Sequence, residues 1–188
     1  MKKKLEIIRP DNSIFKTEWN NFIYSNENAG PFYSYTFLNQ MVERGLDGSS
    51  INCSFLIKHF DKIEAIVPLV IERHDGKYFI STGMGFNTFY GPLVSMSCGK
   101  HLKKTIMDYA FLEIDKIAEK YKVVKSNIVI DPYNKYTESE YYNYLTMYNY
   151  LDCSISTSII DLNVDLDILK SNRKQDFKLR INKGLKTY

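Results

Sequence analysis

Apolar positions change period several times along this 188-residue chain, and each change marks an element. Leu5 to Arg9 reads as a short strand closed by Pro10-Asp11. Ile14, Phe15, Trp19, Phe22 and Ile23 then recur at helical spacing, so a helix is expected from Ser13 to Tyr24, with Asp11, Asn12 or Ser13 as cap. After a loop over Asn26 to Pro31, Phe37, Leu38, Met41 and Val42 share one face of a second helix, Ser34 to Gly45, which glycine stops.

The period next falls to two. Ile51 to Phe60 and Ile63 to Arg73 are β-rich runs joined by Asp61-Lys62, a hairpin signal, and His74-Asp75-Gly76-Lys77 is the following turn. Tyr78 to Thr82 is a third strand, interrupted by Gly83-Met84-Gly85. Thr88 to Met96 resumes as extended chain with Gly91-Pro92 inside it; proline cannot donate to a ladder, so this strand is irregular there or lies at an edge. Gly99 to Tyr121 gives the clearest helical pattern, through Leu102, Ile106, Ala110, Glu113-Ile114, Ile117 and Tyr121. A strand over Val123 to Ile130 and a helix over Thr137 to Asn149 follow, the latter opened by a capping box of Thr137 and Glu140. Last come an alternating strand from Ser154 to Leu162 and a helix from Asp165 onward. Early hairpins imply antiparallel pairing and the late strand-helix-strand order implies some parallel pairing. The expected fold class is therefore mixed α/β (α+β), a central mixed sheet with helices on both faces.

Composition changes this picture little. Hydrophobic residues make up 44% and charged residues 25%, which suits a soluble globular domain. The net charge of +3 demands neither DNA nor a membrane as partner. Its distribution is more telling, because Asp165 to Tyr188 holds seven Lys or Arg against three Asp. Cys53, Cys98 and Cys153 are odd in number and widely spaced, which implies reduced thiols and a cytoplasmic setting rather than a disulfide framework. The apolar run after Met1-Lys2-Lys3-Lys4 is too short for a signal peptide.

The element order resembles the GNAT acyltransferase fold. The stretch Thr157-Ser158-Ile159-Ile160-Asp161-Leu162, followed by Leu166, Leu169, Lys174, Lys178-Leu179-Arg180, Ile181 and Lys183-Gly184, resembles a junction in the Fem-type peptidoglycan aminoacyltransferases, where a strand ending in Asp-Leu leads into a basic helix. Pro31 to Leu38, Ala65 to Leu69 and Tyr90-Gly91-Pro92-Leu93 are similar to softer motifs of the same group. The resemblance implies a GNAT-like N-terminal unit over 1–164 and a basic connecting helix over 165–188 leading to a second unit of the same protein, absent from this chain. It further implies an acceptor-binding role in acyl or aminoacyl transfer to an amine of a cell-envelope or nucleotide-linked sugar precursor. Acyl-CoA or aminoacyl-tRNA would be the donor for the full enzyme, with no cofactor bound by this chain and peripheral contact with the inner membrane surface. By resemblance, Tyr33 and Tyr35 lie on the acceptor side, and Arg173, Lys178, Arg180 and Lys183 meet the diphosphate of a phosphate-bearing precursor. Tyr90 precedes Gly91-Pro92 in an irregular strand, where backbone can approach a substrate, and each of the three tyrosines also fits a core or rim aromatic. The same basic helix serves equally as a solvated face.

Motif chemistry beyond this is sparse. The loop before the Gly99 helix, Ser95-Met96-Ser97-Cys98-Gly99-Lys100, lacks the paired glycines of a CoA pyrophosphate cradle, although Lys100, Lys103 and Lys104 supply charge. Cys98 and His101 have no second ligand pair, so no metal is expected. No phosphate-binding loop or nucleophile elbow occurs, and no general base can be named. Two other functions fit the same residues: a stand-alone acetyl-CoA-dependent N-acetyltransferase, and a non-catalytic interaction module built on the basic helix.

Overall fold

A computed structural model describes residues 5–43, 50–81, 91–130, 143–153 and 168. The chain separates into two compact units, Met1–Leu151 and Asp152–Tyr188. The first contains β1 (Leu5–Ile8), α1 (Phe15–Tyr24), α2 (Tyr35–Glu43), β2 (Ile51–Asn52), β3 (Phe55–His59), β4 (Lys62–Val67), β5 (Val70–His74), β6 (Lys77–Ser81), β7 (Leu93–Val94), α3 (Lys100–Tyr121) and β8 (Val123–Asn127). In the second, Ile168 is helical and exposed. The strand expected at 154–162, the helix expected from 165 and the boundary expected at 164 lie outside the described residues.

The described strands form two four-stranded ladders, β1-β3-β4-β7 and β2-β5-β6-β8. All described pairings are antiparallel except β6 with β8. Each long strand expected at 51–60 and 63–73 is in fact two short ones, broken at Cys53-Ser54 and at Pro68-Leu69. Pro68 has no N–H to offer, and a side chain replaces the ladder at the break. The Leu69 amide donates to Ser54 Oγ at 2.9 Å, while the Leu69 carbonyl accepts from the Cys53 amide at 2.9 Å. These bonds stitch the two ladders together.

Strand alternation sends side chains to opposite faces. Phe55, Ile57, Ala65, Val67, Ile71 and Val94 pack with Ile106, Ala110, Phe111 and Ile114 of α3. Leu56, Ile66, Val70 and Leu93 face the other way, onto Phe15, Trp19 and Phe22 of α1 and Leu38 and Met41 of α2. The β3–β4 register slips where Ile57 faces Ala65 but Lys58 faces Ile63. Glu64 is thus an extra residue, a bulge that turns Ile63 to the α1 side.

The turn at Asp75-Gly76 has φ of 51° and 74°, the left-handed pair that a two-residue hairpin demands. The first hairpin turns one residue earlier than its sequence suggests, at Phe60-Asp61, with Phe60 at φ 54°. The α1 helix starts after Ile14, whose amide donates to Asn12 Oδ1 at 3.1 Å. Only 143–149 of the helix expected at 137–149 is described, and there Tyr144–Tyr148 is a 3-10 helix, with the Asn143 side chain accepting from the Leu145 amide. Among the described residues no helix is long and apolar enough to cross a membrane.

Candidate functional site

The longest helix among the described residues, α3, follows the edge strand β7 after the loop 95–99. A helix leaves its first N–H groups without intrahelical partners and concentrates positive partial charge there. Gly99 is the N-cap of α3, in extended backbone, and no side chain among the described residues caps the end. A Cβ at Gly99 would meet nothing within 4 Å. The first internal bond is Lys103 N–H to Gly99 O at 2.9 Å, so the amides of Gly99, Lys100, His101 and Leu102 have no acceptor among the described residues.

The loop feeding this helix is anchored. The Ser95 amide donates to the bulged Glu64 carbonyl at 2.8 Å, and the Cys98 amide to Ser95 O at 3.1 Å. Lys62 Nζ donates to Ser97 Oγ and bridges to Glu64 at 3.4 Å. The bulge therefore aims both the Glu64 carbonyl and the Lys62 side chain at the β7–α3 loop. Lys100 is exposed, Lys104 is held on Asp108 at 2.8 Å, and burial lowers the pKa of half-buried Lys103 from its ordinary 10.5 against a smaller opposing effect of Cys98. Such an end can hold phosphate oxygens by backbone N–H groups and lysines together.

Just before β7, Gly91 lies against the segment that follows β8. Its amide donates to Val129 O at 2.8 Å, and its carbonyl accepts from the Tyr33 hydroxyl at 3.0 Å. A Cβ there would lie 2.8 Å from Tyr144 Oη and 3.2 Å from Ile128 Cγ2, which is why the position needs glycine. Pro92 follows, and β7 then continues as a sheet edge bonded to β4 alone among the described strands. The chain thus runs from the segment after β8, at Gly91-Pro92, along β4 to the α3 amino end.

The expected site residues have different fates. Tyr33 lies in the interior at 1% exposure, with its carbonyl taking the Trp19 indole N–H at 2.8 Å. Tyr35 is half-buried, edge-on to Phe15 at 6.2 Å, with Lys16 Nζ 5.6 Å from its ring centre. Both tyrosines thus meet around α1. Tyr90, Arg173, Lys178, Arg180 and Lys183 lie outside the described residues. The sequence points to the Ser95 to Lys100 loop, but the part of Lys62 in anchoring it was not foreseen, because Lys62 sits in a hairpin more than thirty residues from Ser95 and Ser97 and no spacing links them. No group of three or more His, Cys, Asp or Glu is placed to hold a metal ion among the described residues.

No protein-family model matches the chain, and no curated protein matches it in sequence. Solved structures do match in shape. Aminoglycoside N-acetyltransferase AAC(6')-Iy in complex with CoA superposes with TM-score 0.53 at 8% identity, over 86% of this chain and 97% of that one. The same enzyme with a bisubstrate analogue, CoA-S-monomethyl-acetylneamine, gives 0.51 at 8% identity, over 84% and 98%. A possible acetyltransferase from Clostridium difficile 630 gives 0.47 at 15% identity, over 84% and 97%. At such identities the likeness is one of fold. This chain has the mixed α+β fold of the GNAT acetyltransferases.

Proposed function

We propose that this chain is an acyltransferase domain that holds a phosphate-bearing acyl donor, acyl-CoA, at the amino end of α3 and passes the acyl group to an amine. The observation that carries the reading is the open end of the 22-residue helix, with N–H groups that meet no acceptor among the described residues and lysines around them. The fold likeness to a CoA-bound acetyltransferase supports it. The Gly99 to Leu102 amides and Lys100 would hold the pyrophosphate. In the transfer, the acceptor nitrogen bonds to the thioester carbonyl carbon, the C–S bond breaks, and the departing thiolate takes up the proton that the amine gives. Positioning of the two reactants accounts for much of the rate in such a step.

A second reading is favoured by the absence of paired glycines in Ser95 to Lys100. In it, this chain is the acceptor-holding unit of a two-unit, Fem-like enzyme, and a nucleotide-linked amino sugar replaces acyl-CoA as its ligand. Calorimetry separates the two. Saturable binding of acetyl-CoA that Lys100→Glu weakens several-fold supports the donor site. Absence of acetyl-CoA binding, together with saturable binding of a UDP-linked amino sugar, overturns it in favour of the acceptor unit.

A further inference from the structure

The other end of α3 carries a cluster that acyl transfer does not use. A cavity of about 440 Å³ opens between the end of β1, β2 and the carboxyl half of α3. That volume lies within the range of small-molecule pockets. From Lys100 to Ile117 the helix rises roughly 25 Å, so the cavity and the donor site are separate places.

Its charges are arranged around one anchor. Glu113 is buried although it lies on a helix, and it accepts from both Arg9 and Lys116, the latter at 3.1 Å. The Arg9 guanidinium lies over the Phe55 ring, 5.5 Å from its centre. Glu113 engages one terminal nitrogen of Arg9, and a guanidinium carries five N–H donors. Lys120 also lines the cavity, its ammonium 5.2 Å from the centre of the Tyr121 ring, with no carboxylate in ion-pair range among the described residues. Three cations thus face two carboxylates, Glu113 and the exposed Asp11. Ile117, Pro10 and the buried Cys53 give the cavity an apolar part. A β1–α3 ion pair needs only Arg9 and Glu113. The two further lysines and the open volume are what a ligand would use.

We propose that this cavity binds a small oxyanion, a carboxylate or a phosphate ester with a compact apolar body. Arg9 supplies N–H donors that Glu113 leaves over, Lys116 and Lys120 supply charge, and the apolar lining of Cys53 and Ile117 takes the body.

Cys53 lets the proposal be read directly. In the full chain bearing Cys98→Ser and Cys153→Ser, methanethiosulfonate reagents label the one remaining thiol. The Cys53 sulfur bonds to the reagent's sulfur, methanesulfinate leaves, and the thiol proton goes to solvent. Rates are taken relative to glutathione. The basic cavity should favour the sulfonatoethyl reagent over the trimethylammonium one by about tenfold, and Lys120→Glu, a surface change, should remove that preference. Inorganic phosphate or succinate at millimolar concentration should slow labelling, and the better protector identifies the phosphate or the carboxylate class. Equal rates for the two reagents, protection by neither anion, or a Cys53 that no reagent reaches would each overturn the proposal.

Discussion

Replacing Ser54 by alanine should destabilise the domain far more than the loss of one hydroxyl suggests. Ser54 is fully buried, and its oxygen is the acceptor for the Leu69 amide at 2.9 Å. Leu69 itself is 1% exposed, so water cannot take over. The neighbouring Pro68 offers no shift of register that would restore a ladder bond. Alanine therefore leaves a buried N–H unsatisfied, at a cost of about 1–3 kcal/mol. The assay is urea unfolding followed by Trp19, the sole tryptophan, which is fully buried. With a urea dependence of about 2 kcal/mol/M, the midpoint should fall by roughly 0.5–1.5 M at unchanged slope. Thr105→Ala, which removes an exposed hydroxyl bonded to His101 O, is the control and should move stability by less than about 0.5 kcal/mol. A Ser54→Ala midpoint that matches the control would refute the claim that this hydroxyl joins the two ladders.

Three further expectations follow from the same geometry. Gly91→Ala places a Cβ 2.8 Å from Tyr144 Oη, so it should lower the thermal midpoint, and Tyr144→Phe should restore part of the loss; an unaffected midpoint would contradict the close approach. At Asp108, burial works to raise the carboxyl pKa, but bonds from Lys104 and Tyr148 outweigh it and hold it below the ordinary 3.8. Its contribution is thus present above that value and fades as pH falls through the depressed one, so the stability gap between wild type and Asp108→Asn should close on acidification below 3.8; a gap that persists to lower pH would refute this. Burial raises the Cys53 thiol above its ordinary 9.0, against smaller lowering effects of Tyr121, Arg9 and Lys120, so a disulfide reagent at neutral pH should modify exposed Cys153 well before Cys53; equal rates would contradict it.

Local signals made much of this fold legible. The α3 pattern gives its bounds to within a residue, and the Asp75-Gly76 turn follows from the backbone freedom that glycine adds. What the sequence hid is tertiary. Nothing in Ile51 to Phe60 shows that a serine hydroxyl, rather than a backbone group, receives the Leu69 amide and splits the strand. The Glu64 bulge is likewise set by its partner strand. Tyr144 to Tyr148 follows the tighter 3-10 spiral, in which Tyr148 stacks on Phe111 with ring centres 3.9 Å apart. The candidate site was partly legible as lysines before a long helix, but its anchoring depends on the distant Lys62 and Glu64. One signal was available for the cavity at the other end of α3: Glu113 falls among the apolar positions of the helix, where a carboxylate needs a cationic partner.

The most direct test of the account is amide hydrogen exchange on the full chain with and without acetyl-CoA. The amides of Gly99, Lys100, His101 and Leu102 have no acceptor among the described residues, so they should exchange fast alone and slow markedly when the donor binds. Saturating acetyl-CoA that leaves these four amides as fast as before would contradict the placement of the donor at this helix end.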